Sequence, residues 1–162
     1  MTLFDLPAGG FRGVLELNLM GTFYPVRVFA REMASLRRGS IVNISSMSAD
    51  RLLTRIPAYS AAKAAVSNFT RWAAVYFSIA GIRVNAVSPG FFRTEQSRFL
   101  QWDPETGEPT EWIVMIIAGT PMGRFGEPGE LTGTVRWLFF EASRFVTGAV
   151  VPIDGGFSSY AR

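Results

Sequence analysis

The 162-residue chain contains neither cysteine nor histidine. Without cysteine there is no disulfide, no thiolate nucleophile and no sulfur-ligated metal; without histidine the commonest general base and zinc ligand are gone as well. Serine-histidine triads, cysteine proteases and zinc sites are thereby excluded, and no metal is expected. Long hydrophobic runs are also scarce. The longest, Trp112 to Gly119, falls far short of the roughly 20 residues that cross a bilayer, so no membrane span is expected. Residues 1–13 carry Asp5 and Pro7 and no basic opening, which does not suit a secretory signal, and the expected location is cytoplasmic. The 16 basic and 13 acidic residues leave a net charge of +3. The arginines are scattered, with no basic cluster interleaved with aromatics, so nucleic acid is not an expected partner. An apolar content of 48% with 14% aromatics excludes intrinsic disorder and fits a single globular unit over residues 1–162.

Lysine is the scarcest charge. Of the 16 basic residues, Lys63 is the sole lysine and every other one is arginine. A site that needed only positive charge would in this chain be an arginine, which singles out Lys63 for a task that a guanidinium performs badly.

Apolar residues recur at helical spacing from Phe11 to about Leu36, where Arg37-Arg38-Gly39 gives a stop signal. Ser40 to Ser45 is short and rich in β-branched residues, and reads as a buried strand. Ala58 to Ala80 predicts an alanine-rich helix closed by Gly81, apolar nearly all round. Ile82 to Val87 predicts a second strand, ended by Ser88-Pro89-Gly90. A short helix over Glu111–Ala118, a longer one from Glu127 to about Glu141, and a third strand over Val146–Ile153 complete the pattern. Alternating helices and strands of this kind make a parallel sheet flanked by helices, an α/β fold. Three strands are few for such a sheet, so an upstream portion is expected to be missing.

Ligands of open parallel sheets bind beyond the carboxyl ends of the strands, where Ser46 and Pro89-Gly90 both fall. Tyr59 and Lys63, four apart, project from one helix face. An ammonium beside a phenol favours the phenolate, which makes Tyr59 a candidate acid and base. Each residue also has an ordinary explanation: a tyrosine-lysine pair as surface decoration, Ser46 as a turn former, Asn18 as a tolerated mid-helix residue, Pro89-Gly90 as a strand terminator.

In combination the motifs Asn18-Leu-Met-Gly21, Ile41-Val-Asn-Ile-Ser-Ser46, Tyr59-Ser-Ala-Ala-Lys63, Ile82-Arg-Val-Asn85, Pro89-Gly90 with Thr94, and Thr147-Gly148 through Asp154-Gly-Gly156 resemble the short-chain dehydrogenase/reductase family over essentially the whole chain. The resemblance implies a Rossmann-like sheet and an NAD- or NADP-dependent oxidoreductase that interconverts a secondary alcohol and a ketone. It implies that Tyr59 exchanges a proton with the substrate oxygen while Ser46 hydrogen-bonds that oxygen. Lys63 would promote ionisation of Tyr59 and bind the nicotinamide ribose, and Asn18 would hold a relay water through its backbone carbonyl. Pro89, Gly90, the Phe92 backbone and Thr94 would hold the nicotinamide carboxamide. No histidine or metal is needed for such chemistry, because the cofactor carries the hydride. The stretches Pro89–Arg98, Asp103–Gly107 and Thr120–Gly126 look like members that act on sugar acids, such as fructuronate (mannonate) or gluconate oxidoreductases. Arg98 first and Arg55 second are candidates for clamping a carboxylate. The family's paired long helices imply a homo-oligomer, dimer or tetramer, built on Phe11–Leu36 and Ala58–Ala80.

One family feature is not found. The glycine-rich turn that receives the cofactor pyrophosphate has no counterpart, since Gly9, Gly10 and Gly13 follow no strand and read as a loop before the first helix. The expectation is therefore a catalytic half whose N-terminal cofactor-binding half is missing. The rival is an inactive fragment that acts only as an interaction or structural subunit.

Overall fold

A computed structural model of the chain describes residues 3–51, 53–95, 102–103 and 106–160. The first helix begins earlier than the apolar spacing suggests, because Pro7 supplies an extended N-cap backbone that opens α1 (Ala8–Leu15). Gly9, Gly10 and Gly13 thus lie inside a helix and not in a loop, and an added Cβ at any of them would meet nothing within 4 Å. The expected single rod is interrupted by a π turn over Glu16–Met20 before α2 (Gly21–Ser35) carries on. Arg37 ends α2 with a positive φ of 51°. Its N–H reaches the Ala34 carbonyl and that of Arg38 the Met33 carbonyl, each at 3.2 Å. This is the paired-carbonyl stop that satisfies the last turn of a helix.

Three strands, β1 (Gly39–Ile44), β2 (Ile82–Pro89) and β3 (Val150–Ile153), form one parallel sheet in the order β1-β2-β3. β1 and β2 are in register from Gly39 opposite Ile82 to Ile44 opposite Val87. The third strand is shorter than the sequence suggests. The Asn85 side chain donates to the Val146 carbonyl at 2.9 Å and accepts from the Ala149 N–H at 3.0 Å. Residues 146–149 are thus tied to β2 by this side chain as well as by two backbone bonds, from the Gly148 N–H to the Val84 carbonyl and from the Ala86 N–H to the Ala149 carbonyl, both at 2.8 Å.

Between the strands run α3 (Pro57–Ser78), α4 (Glu111–Gly119) and α5 (Glu130–Phe139). Pro57 stands in the first turn of α3, where its missing N–H costs nothing. Gly81 follows the helix with φ 72°, and any Cβ there would collide with the Arg37 carbonyl. α5 starts three residues later than expected, since Pro128 and Gly129 form the turn ahead of it. α3 packs on β2, burying Ala73 and Ala74 against Ile82 and Val84 together with Ala30 of α2. A second cluster of Ile113, Ile116 and Phe125, with Phe91, Trp112 and Phe157 around it, lies beyond the carboxyl end of the sheet. Each such large side chain contributes about 1.5–3 kcal/mol by leaving water. Phe91, Trp112 and Phe125 of this second cluster line one cavity of the site described next.

Candidate active site

The carboxyl end of β1 is stapled to the first half of α3. The Ser45 backbone N–H donates to the Val87 carbonyl at 2.8 Å. The Ser45 hydroxyl lies 2.6 Å from that of Ser67 and 3.2 Å from the Lys63 carbonyl. One residue on, Ser46 leaves the sheet with extended backbone and caps a short 3-10 turn, Met47–Ala49. Its hydroxyl oxygen accepts from the Ser48 N–H at 3.3 Å and from the Ser48 hydroxyl at 3.0 Å. A hydroxyl that accepts twice still has its own proton to donate.

Lys63 is buried on α3, one turn beyond half-buried Tyr59, and its Nζ stands 5.5 Å from the centroid of the Tyr59 ring. Nζ donates to the Ile44 carbonyl at 2.9 Å, at the end of β1. Burial pushes the lysine below its ordinary pKa. The spacing of four residues thus does bring the two side chains together, and the carbonyl of β1 fixes where the ammonium points.

Asn18 lies in the π turn and is half-buried, not enclosed in a regular helix. Its amide donates back to the Val14 carbonyl at 3.0 Å, and its own carbonyl accepts from the Thr22 hydroxyl at 2.8 Å. A π turn displaces carbonyls from the regular i to i+4 ladder. Asn18, Thr22 and Lys63 line one cavity of about 410 Å³ between α2 and β1.

Pro89, Gly90, Phe92 and Thr94 line a second cavity of about 300 Å³ with Trp112 and Phe125. The Gly90 N–H donates to the Ile153 carbonyl at 2.9 Å, and a Cβ on Gly90 would come within 2.7 Å of the Asp154 backbone. Across the chain, the Arg93 N–H bonds the Gly126 carbonyl and the Gly126 N–H the Phe91 carbonyl, each at 2.9 Å. Arg124 holds this strap by a two-pronged pair with Glu130, both contacts 2.7 Å, which pulls the Glu130 carboxyl down to about 2. Neither this strap nor the Ser45–Ser67 staple is visible in local sequence, since each joins residues far apart in the chain. Arg55 is exposed in the turn ahead of α3, and Arg98 lies outside the described residues.

The residues present fit one half of a nicotinamide cofactor. A glycine floor closed off by Asp154, an apolar cavity, and a buried ammonium with N–H bonds beyond the one spent on Ile44 suit a ring and its ribose. The described residues offer no strand followed by a glycine-rich turn for a pyrophosphate.

Residues 1–158 match the family model described as enoyl-(acyl carrier protein) reductase. An uncharacterized oxidoreductase of Haemophilus influenzae is 52% identical over 161 residues, a match covering 99% of this chain and 56% of the relative. The uncharacterized oxidoreductase UxuB of Bacillus subtilis is 48% identical, covering 99% and 58%. Among solved structures, a Haemophilus influenzae protein proposed as a D-mannonate oxidoreductase, with bound NAD, superposes with a TM-score of 0.94 at 52% identity, over 99% of this chain and 57% of that one. A gluconate 5-dehydrogenase from Burkholderia cenocepacia, in complex with NADP and tartrate, gives 0.92 at 30% identity, over 99% and 61%. The chain therefore spans somewhat over half the length of the relatives it matches. From sequence, fold and these likenesses together, the chain belongs to the short-chain dehydrogenase/reductase family.

Proposed function

We propose that residues 1–162 form a single catalytic half of an NAD- or NADP-dependent oxidoreductase that interconverts a secondary alcohol and a ketone on a polyhydroxylated acid. The observation that carries this reading is the buried Lys63 ammonium, 5.5 Å from the Tyr59 ring and anchored on the Ile44 carbonyl, next to the strand end that presents Ser46. In the oxidation direction, Ser46 donates its hydroxyl proton in a hydrogen bond to the substrate oxygen. The Tyr59 phenolate accepts the proton of the substrate hydroxyl, and in reduction the phenol returns it. Lys63 sets its positive charge beside the Tyr59 ring and offers its remaining N–H bonds to ribose hydroxyls, while Pro89, Gly90, the Phe92 backbone and Thr94 hold the carboxamide. Asn18 offers its backbone carbonyl to a water that connects Lys63 with solvent. When bound, the nicotinamide supplies or accepts the hydride at the substrate carbon.

Relatives include a gluconate 5-dehydrogenase from Gluconobacter oxydans, 36% identical, and a galactitol 2-dehydrogenase from Cereibacter sphaeroides, 38% identical. These support a sugar acid or polyol as the substrate class, and Arg98 and Arg55 are proposed for a carboxylate. Among the described residues no helix is long and apolar enough to cross a membrane, in keeping with a proposed cytoplasmic location. The exposed aromatics of α3 support a homo-oligomer.

The test is binding of NAD or NADP by the purified chain, which is expected, followed by turnover of gluconate against a neutral polyol in a complete enzyme, where Arg98→Met should raise KM for the acid well above any change for the polyol. A chain that neither binds a nicotinamide cofactor nor turns over leaves the structural-subunit reading in its place.

A further inference from the structure

The loop that follows Ser46 and the segment Asp154–Tyr160 are 107 residues apart at their first point of contact, yet they are joined by a single side chain. The half-buried Arg51 donates from Nε to the Ser158 carbonyl at 2.7 Å and from Nη2 to the Tyr160 carbonyl at 3.2 Å. Its own backbone N–H is fixed on the Met47 carbonyl at 2.9 Å, so the guanidinium is held relative to the turn that Ser46 caps. At its other end the segment is held just as firmly. Asp154 accepts from the Gly156 and Ser158 N–H groups, both at 2.9 Å. Gly155 and Gly156 take φ of 63° and 89° to make that turn, and Phe157 stands edge-on to Phe91 at 5.1 Å. The segment thus touches the Ser46 loop on one side and the Gly90–Phe91 segment on the other, bridging the two walls where substrate oxygen and carboxamide would meet.

From this we infer that Asp154–Tyr160 is the third wall of the substrate end of the site, and that Arg51 is the positioning residue that sets it. The fork of a guanidinium reaches two carbonyls in one plane, which a lysine ammonium on a single stem does not reproduce. A wall set by this clamp touches the part of the substrate remote from the reacting carbon, so its loss weakens binding and leaves the chemical step alone. The substrate half of the inference rests on the oxidoreductase reading; the clamp itself does not.

The experiment compares wild type, Arg51→Met and Arg51→Lys in two readouts: amide hydrogen exchange over residues 156–160, and steady-state kinetics with gluconate and NAD or NADP. Arg51→Met is expected to speed exchange there by on the order of tenfold. It should raise KM by about tenfold with kcat within about threefold, with Arg51→Lys falling between. Should Arg51→Met fail to fold, Arg51→Lys carries both readouts. Unchanged exchange overturns the clamp, whatever the kinetics. Faster exchange with unmoved KM, or a fall in kcat alone, overturns the substrate wall. A wild type without turnover overturns the oxidoreductase reading and the wall with it, while exchange still judges the clamp.

Discussion

Ser45 and Ser67 do at the level of single side chains what sequence motifs cannot display. Two small hydroxyls, 2.6 Å apart in a buried setting, fasten the end of β1 to α3 and so set the placement of Ser46 relative to Tyr59 and Lys63. Removing one of them leaves a buried partner short of a bond, which costs about 1–3 kcal/mol. Since the Ser45 hydroxyl keeps its bond to the Lys63 carbonyl, Ser67→Ala is expected to lower stability by only about 0.5–1.5 kcal/mol in chemical denaturation, and to lower any turnover further by loosening the catalytic end. A stability within error of wild type would show that the staple is dispensable. The tyrosine-lysine pair itself was legible in the chain, because a spacing of four on a helix forces two side chains to one face and the lone lysine drew attention to it. Ser46 was legible as the last residue of a strand motif. The direction of the Lys63 ammonium was not, since the Ile44 carbonyl that receives it is 19 residues away. Arg98, chosen for its charge and loop position, lies outside the described residues, and Arg55 stands exposed ahead of α3.

Elements were legible where the backbone pattern is local, and less so where a long-range contact overrides it. The two long helices, the parallel sheet and the stop signals at Arg37-Arg38-Gly39 and Gly81 follow from periodicity and capping. The π turn at Asn18 does not, because a five-residue widening leaves the apolar spacing of a helix nearly intact. The contacts that hold the segment before the third strand likewise come from β2, where the Asn85 side chain bonds the Val146 carbonyl and the Ala149 N–H. Two predictions belong at this scale. Gly90→Ala would press a methyl onto the backbone of Asp154, itself locked by two N–H bonds. Overpacking of this kind costs about 1–3 kcal/mol, and a lowered Tm with weakened cofactor binding is expected. Glu130 supplies the pH dependence. Its carboxyl is held down to about 2 by Arg124 and the Glu127 N–H, so in the folded state it releases its proton more readily than in the unfolded chain. The unfolded state then binds more protons through the acid range, and the stabilisation is present above the ordinary carboxylate pKa and is lost as pH falls toward about 2. Thermal scans against pH should show this acid-side loss in wild type and a smaller one in Glu130→Gln. Parallel profiles would contradict the strap.

At the scale of the whole molecule, the face formed by α2 and α3 has too much apolar surface for water. Trp72 and Tyr76 stack at 4.9 Å and Phe69 and Trp72 at 6.1 Å, with Trp72 and Tyr76 more than half exposed. Contiguous aromatic surface of this sort suits the proposed homo-oligomer, built on the two long helices. In the proposed homo-oligomer, Trp72→Glu should lower the mass of the assembly in sedimentation at micromolar concentration; an unchanged mass would remove this face from it. The segment that the described residues do not provide, a glycine-rich turn ahead of a helix, bears on the adenosine half of the cofactor and leaves the geometry of Ser46, Tyr59 and Lys63 intact.

In the proposed mechanism the Tyr59 phenol moves the substrate proton beside the Lys63 ammonium. Turnover of Tyr59→Phe against wild type, with folding checked by circular dichroism, tests it most directly. A positioned acid and base contributes about 10²–10⁴-fold, so a loss of that size with an unchanged spectrum is expected, and equal turnover in the two proteins would contradict the account.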